Sequence, residues 1–283
     1  MKIMTGLLLL GLSLSVHADN AQATLSQGLS TTKLTSTIFA LTGNGDGNVL
    51  FINSAEGVLV IDSQTKKNDA TVIQLIKDQT KQPLVYLIDT HFHADHTGGN
   101  ENMDELGATI IAHHNVHARL QSTDRALPDI TFNDRSTIHF NGTRVDLYHV
   151  PNAHTDGDVM VHLPDQNILH TGDVLFNGLY PFIDLESGGS VTGYIAGMEK
   201  ALSLTNEDTV IIPGHGPLAS QEDLETNLRM LRDANAAISI LVGEGHSEKK
   251  VLELDPLLPW HEKYAWGFID GEKMTRTLYQ AAQ

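Results

Sequence analysis

The sequence predicts one mixed α+β domain whose strands end in histidine-bearing loops, and three observations carry that expectation. Short apolar runs such as "NVLFI", "PLVYLID" and "ATIIAH" recur between turn residues, which is the pattern of buried strands. Stretches with apolar residues at helical spacing alternate with them, as in "NDATVIQLIKDQ". Several runs lead straight into His or Asp, as in "THFHADH", "LHTGD" and "IIPGHG", and loops at strand ends are where function concentrates.

In chain order, Lys2 precedes the apolar "GLLLLGLSLSV", and "VHA" ends on the small residue Ala18. This pattern predicts a signal peptide over residues 1–18, cleaved after Ala18, with export to the periplasm. The run is too short to span a bilayer, so no stable membrane anchor is expected. Residues 19–35 are polar and read as a loose lead-in, and the domain occupies residues 36–283. The first strands are "TIFALTG", "NVLFI" and "GVLVID"; "NGDGN" separates the first two and has the composition of a turn. Val72, Leu75 and Ile76 mark an amphipathic helix, and "PLVYLID" is a buried strand running into the histidine loop. "ATIIAH" continues as strand and "HNVHARLQS" as helix, then "STIHF", "TRVDLYHV", "VMVHL" and "NILHTGD" as strands. "TGYIAGMEKALSL" returns to helix and "DTVIIPGHG" to strand. A long helix from Gln221 to Val242 opens on a capping box, Ser220 with Asp223, and carries the stripe Leu224, Leu228, Leu231, Ile238 and Leu241. The final aromatic segment "PWHEKYAWGFIDGEKMTRTLYQAAQ" is expected to pack back on the body.

Composition narrows the function classes. A chain of 283 residues is long enough to bury a large core. It has no cysteine, which excludes disulfides and thiolate metal ligands together. A formal charge of −17 argues against gripping a nucleic-acid backbone. The partner expected is a small-molecule substrate, and the oligomeric state stays open.

The chemistry is concentrated in "DTHFHADHTGGN", with His91, His93, Asp95 and His96 in six consecutive positions. Imidazole and carboxylate are the donors expected for zinc when cysteine is absent. His91 and His93 can grip one ion while Asp95 and His96 turn towards a second. Three further donors sit beside strand ends: His154 in "VPNAHTDGD", Asp173 in "LHTGD" and His215 in "IIPGHGP". A carboxylate such as Asp173 can bridge two cations. The other histidines, among them His113, His114, His117, His139, His149, His162 and His170, read as structural.

This ordered set, H-x-H-x-D-H followed by His, Asp and His, resembles the metallo-β-lactamase superfamily from about Ser36 to the last helix. The resemblance implies a four-layer αββα sandwich. It also implies that His91, His93 and His154 hold a first metal and Asp95, His96 and His215 a second, with Asp173 bridging or completing the second site and Asp62 in support. Two zinc ions per chain are expected, with iron or manganese as the other metals such donors take. The implied function is a dinuclear zinc hydrolase using a metal-bound hydroxide to attack an amide, lactone, ester or thioester carbonyl, with Asp95 as its catalytic acid–base residue. The β-lactamases nearest this ligand set have cysteine where Asp173 stands and a lysine where Phe176 stands, so β-lactamase activity would be weak or promiscuous. A glyoxalase II-like thioesterase, a mono-iron persulfide dioxygenase-like enzyme and a non-catalytic metal-binding protein are the alternatives. In "FNGLYPFIDLESGGS", Phe176, Tyr180 and Phe182 are candidates for an apolar substrate pocket. The "GNGDGN" turn is a candidate flap.

Overall fold

The computed structural model describes residues 28–283; the expected signal peptide lies outside the described residues. Seven strands form the first sheet in chain order: β1 (Ser30–Lys33), β2 (Ile38–Thr42), β3 (Val49–Ser54), β4 (Gly57–Ile61), β5 (Leu84–Ile88), β6 (Thr109–His113) and β7 (Ile130–Phe132). Five form the second: β8 (Arg135–Phe140), β9 (Thr143–Val150), β10 (Asp158–Leu163), β11 (Ile168–Phe176) and β12 (Val210–His215), with β12 beside β11 at one edge. The helices are α1 (Asp69–Gln79), α2 (Ala94–Thr97), α3 (Asn100–Glu105), α4 (His114–Leu120), α5 (Val191–Ser203), α6 (Gln221–Gly243), α7 (Glu248–Leu254), α8 (Leu258–Tyr264) and α9 (Gly271–Ala281).

Three apolar clusters define four layers. Ile38, Leu50 and Leu59 of the first sheet meet Val145, Val161 and Ile212 of the second between the sheets. On the outer face of the first sheet, Phe39, Phe51 and Val60 pack against Val72 and Ile76 of α1. On the outer face of the second, Leu169 and Val174 pack against Tyr194 and Met198 of α5 and Leu224 and Leu228 of α6. Covering both faces of each sheet explains why the central strands read as continuous apolar runs rather than alternating ones. The αββα sandwich expected from the sequence is the fold found. The Ser220–Asp223 capping box is formed, with the Ser220 hydroxyl accepting from the Asp223 N–H.

Two elements differ from the sequence reading. Within the expected lead-in, Ser30–Lys33 forms the edge strand β1, paired antiparallel with β2 from Ser30↔Thr42 to Lys33↔Phe39. A short polar edge strand has no buried face, so it leaves no hydrophobic period to read. Asp173, expected at a strand end, lies inside β11, which continues to Phe176 with every residue buried. The break is instead a register irregularity between β11 and β12 around Gly172. Gly172 sits at φ 51, and a Cβ there would stand 2.8 Å from the Thr90 Cβ, so only glycine fits.

Candidate metal centre

The parallel pairs β4–β5 and β11–β12 bring four chain segments to one end of the sandwich. The loop after β5 carries His91 and His93, and the single turn of α2 carries Asp95 and His96. His154 follows β9, where the Asp158 carboxylate accepts from the His154 N–H (2.6 Å) and the Thr155 N–H (2.9 Å) and so sets the turn. Asp173 projects from β11 and His215 ends β12.

All seven sequence-selected donors converge there in two sets, each with its donor atoms within 4.8 Å of one another. In the first, His93 Nδ1 lies 3.1 Å from His91 Nε2 and 2.8 Å from His154 Nε2. In the second, His215 Nε2 lies 3.4 Å from His96 Nε2 and 3.2 Å from Asp95 Oδ2. Asp173 stands between them. Its Oδ2 is 3.3 Å from His154 Nε2 and 3.6 Å from His91 Nε2, while its Oδ1 is 3.1 Å from His96 Nε2 and 3.5 Å from His215 Nε2.

The outward nitrogens fix what the inward ones offer. His154 Nδ1 faces the Phe182 carbonyl (2.8 Å), His93 Nε2 faces Asp184 Oδ2 (3.0 Å) and His96 Nδ1 faces Asp62 Oδ2 (2.7 Å). These oxygens only accept, so each outward nitrogen carries the hydrogen, and a neutral ring turns a lone pair inward. The Thr90 hydroxyl donates to Asp62 Oδ2 (2.8 Å) and accepts from His91 Nδ1 (3.2 Å), which orients His91 the same way. Lone pairs about 3 Å apart repel unless a cation or proton lies among them. Asp173 Oδ1 is moreover buried without a hydrogen bond, a costly arrangement for an isolated acceptor. Converging imidazoles and an orphaned carboxylate oxygen fit divalent cations of the zinc type.

The electrostatics agree. Burial, then the neighbouring His96, holds the His91 imidazole well below its ordinary pKa, and burial brings His154 down to about 4. Both rings are therefore neutral at pH 7, as ligands must be. At His96 the burial penalty is outweighed by Asp173, Asp62 and Asp95, and its pKa is raised well above the usual value. At His215 burial is likewise outweighed, first by Asp173, and the pKa rises to about 9. Burial would raise Asp173, but His96, His215, His91 and His154 hold it well below the usual carboxylate range.

Support comes from residues on neighbouring strands. Asp62, at φ 62 just past β4, accepts from the Thr90 N–H, the Thr90 hydroxyl and His96 Nδ1. Asp62→Ala is expected to lower metal affinity 10- to 100-fold, the usual range for losing such a partner, as measured by competition with a chelator. Gly47 lies against His96, where a Cβ would stand 2.5 Å from Cε1, and at Gly214 a Cβ would overlap Asp173 Oδ1. Gly47 of "GNGDGN" and Gly214 of "PGHG" thus make room for the donors.

A cleft of about 420 Å³ opens over the centre, lined by Phe176 and Phe182 among others. Phe176 stacks on His215 and Phe182 on His93. Tyr180 does not line it. This residue is fully buried, with its hydroxyl 3.1 Å from His261 Nδ1 and near the Leu257 carbonyl, because the core offers a partner for the phenol. Gly45 of the candidate flap does line the cleft. Sequence reasoning missed Asp184, whose role depends on a loop folding back so that its N–H meets the His154 carbonyl. It also missed Trp266 and Phe268 as cleft residues; the aromatic "AWGF" was their only signal. His113 stacks on His149 at 3.7 Å and His170 bonds the Asn48 carbonyl, outside both donor sets.

The model of the Metallo-beta-lactamase superfamily matches residues 42–215. A Metallo-beta-lactamase type 2 of Bacillus cereus is 24% identical over 190 residues, covering 65% of this chain and 73% of that protein. A Hydroxyacylglutathione hydrolase of Polaromonas sp. is 31% identical over 152 residues, and the match spans 52% of this chain and about half of that relative (51%). Among solved structures, a metallo-beta-lactamase from Pontibacter korlensis superposes with a TM-score of 0.65 at 24% identity, covering 73% of this chain and all of that one.

Proposed function

The chain belongs to the metallo-beta-lactamase superfamily and is a metal-dependent hydrolase, and from that premise we propose that it holds two zinc ions and hydrolyses a small carbonyl substrate: an amide, lactone, ester or thioester. His91, His93 and His154 would hold one ion, Asp95, His96 and His215 the other, and Asp173 would bridge them. The observation that carries the reading is Asp173, which directs one carboxylate oxygen at each of two complete donor sets. Bound divalent ions supply acidification of a water and polarisation of the substrate carbonyl.

The protein's own groups do the rest. Asp95 is the carboxylate that meets the cleft: its side chain is 32% exposed against 3% for Asp173. It therefore orients the attacking water and takes its proton, then returns that proton to the leaving atom. Phe176 and Phe182 pin His215 and His93 and keep bulk water from the donors. Phe176 offers no charge to a β-lactam carboxylate, so such substrates rank below neutral ones. Glyoxalase II-type thioester hydrolysis is the second reading, favoured by the Hydroxyacylglutathione hydrolase match. We read the chain as exported, on the signal-like residues 1–18.

Metal analysis of purified protein with a hydrolysis panel tests this. Two zinc ions per chain with turnover of at least one neutral carbonyl substrate is the expected result. One iron with oxygen uptake would replace hydrolysis by dioxygenase chemistry, and no turnover at full occupancy would leave a metal-binding protein. Removing the ions with chelator is also expected to lower the melting temperature, because ligands that bind only the folded state add about 2.7 kcal/mol per site at one hundred times Kd. Differential scanning calorimetry with and without zinc reads this directly.

A further inference from the structure

Residues 265–270, between α8 and α9, place Trp266 and Phe268 on the cleft wall. We propose that these two rings make the segment a specificity wall, selecting substrates that carry a neutral apolar acyl or aryl group beside the scissile carbonyl; this rests on the hydrolase reading above.

The wall is continuous. Trp266 lies 6.0 Å from both Phe176 and His215, and Phe268 lies 5.7 Å from Trp266 and 5.2 Å from Phe182. Four aromatic rings therefore run from the metal donors outward. The Trp266 indole N–H is committed to the Tyr180 carbonyl (2.9 Å), so its polar end faces the body and its remaining edge and faces are apolar. The segment is tied in place by the Tyr180 N–H to Tyr264 O (2.7 Å) and the Trp266 N–H to Ile269 O (3.0 Å).

Charge points the same way. The described lining residues include Asp95 and Asp173 but no lysine or arginine. Lys273, next to the wall, has its ammonium 3.7 Å above the Phe268 ring and 5.3 Å from that of Phe182, and it donates to the Phe268 carbonyl (3.2 Å). Its charge is thereby engaged by the wall. A carboxylate on that part of the substrate would lose water against aromatic rings, with Lys273 on the far side of the wall already held by Phe268 as the nearest ammonium, which is unfavourable. Phe268 is itself 51% exposed, an unfinished apolar surface that a hydrophobic ligand would cover.

The test uses zinc-loaded protein, with ester and lactone pairs bearing either a phenyl or a carboxylate group at the same distance from the carbonyl. Binding of 4-phenylbutan-2-one, a neutral ketone with no bond to hydrolyse, is measured by calorimetry alongside. The phenyl member is expected to lead by at least tenfold in kcat/KM, and the ketone to bind. In Trp266→Ala and Phe268→Ala, the KM for the phenyl member and the Kd for the ketone are each expected to rise at least tenfold with zinc content retained, and in Phe268→Ala with the melting temperature retained as well. Phe268→Ala guards against a folding defect, because its ring is half exposed. Preference for the carboxylate member, absence of ketone binding, or unchanged constants in both variants would overturn the inference even with hydrolysis intact. Ketone binding weakened in the variants, with no substrate turned over, would support the wall and sink the hydrolase reading instead.

Discussion

Asp173→Ala is expected to abolish hydrolysis and to lower zinc affinity by more than about 100-fold, beyond the range typical of losing an outer partner. No other donor faces both sets. Its two oxygens lie 3.1 to 3.6 Å from the inward nitrogens of His91, His154, His96 and His215. Removing them leaves those nitrogens with no shared anion to offset two cations at close range. The side chain is buried among the donors at the floor of the cleft. Equilibrium dialysis followed by metal analysis reads the result. Retention of two tightly held ions would refute the bridging role.

Asp95→Asn is expected to lower kcat by roughly 10²- to 10⁴-fold, the range associated with a positioned proton-transfer group. Because Asp95 is also a donor of the second set, zinc must be raised until both sites are filled before rates are compared. At saturation, a residual loss in kcat with KM little changed isolates proton handling from metal affinity. Asparagine keeps the shape of the side chain and can still meet His215, which lies 3.2 Å from the native carboxylate. Equal activity at full occupancy would remove Asp95 from the proton path and leave it as a ligand alone.

How much of this was legible in the sequence depends on how local each signal is. His91, His93, Asp95 and His96 stand in one loop, and their spacing alone announces a cation site. His154 and His215 are legible because each stands at or just past the end of an apolar strand, and Asp173 because it interrupts an apolar run, although its strand continues to Phe176. The two-sheet core was legible because strands covered on both faces are continuously apolar. What stayed hidden depends on how irregular chain folds back. Phe182 and Tyr180 are two residues apart in a loop, yet one faces the cleft and the other the core, and composition carries no register there. Trp266 and Phe268 reach the donors only after α7 and α8 have turned the chain back over the second sheet. The polar β1 left no period at all.

The division of the donors between the sheets has a consequence for metal uptake. His91, His93, Asp95 and His96 follow a strand of the first sheet, while His154, Asp173 and His215 belong to the second. Each set draws on both, and His96 meets His215 across 119 positions of chain. Neither half alone offers either set whole. A complete set of donors therefore requires both sheets in place, and a bound ion would tie them together like a clasp. On the exported reading, a chain crossing a membrane unfolded would carry no ions with it and would take its metal from the compartment where it folds.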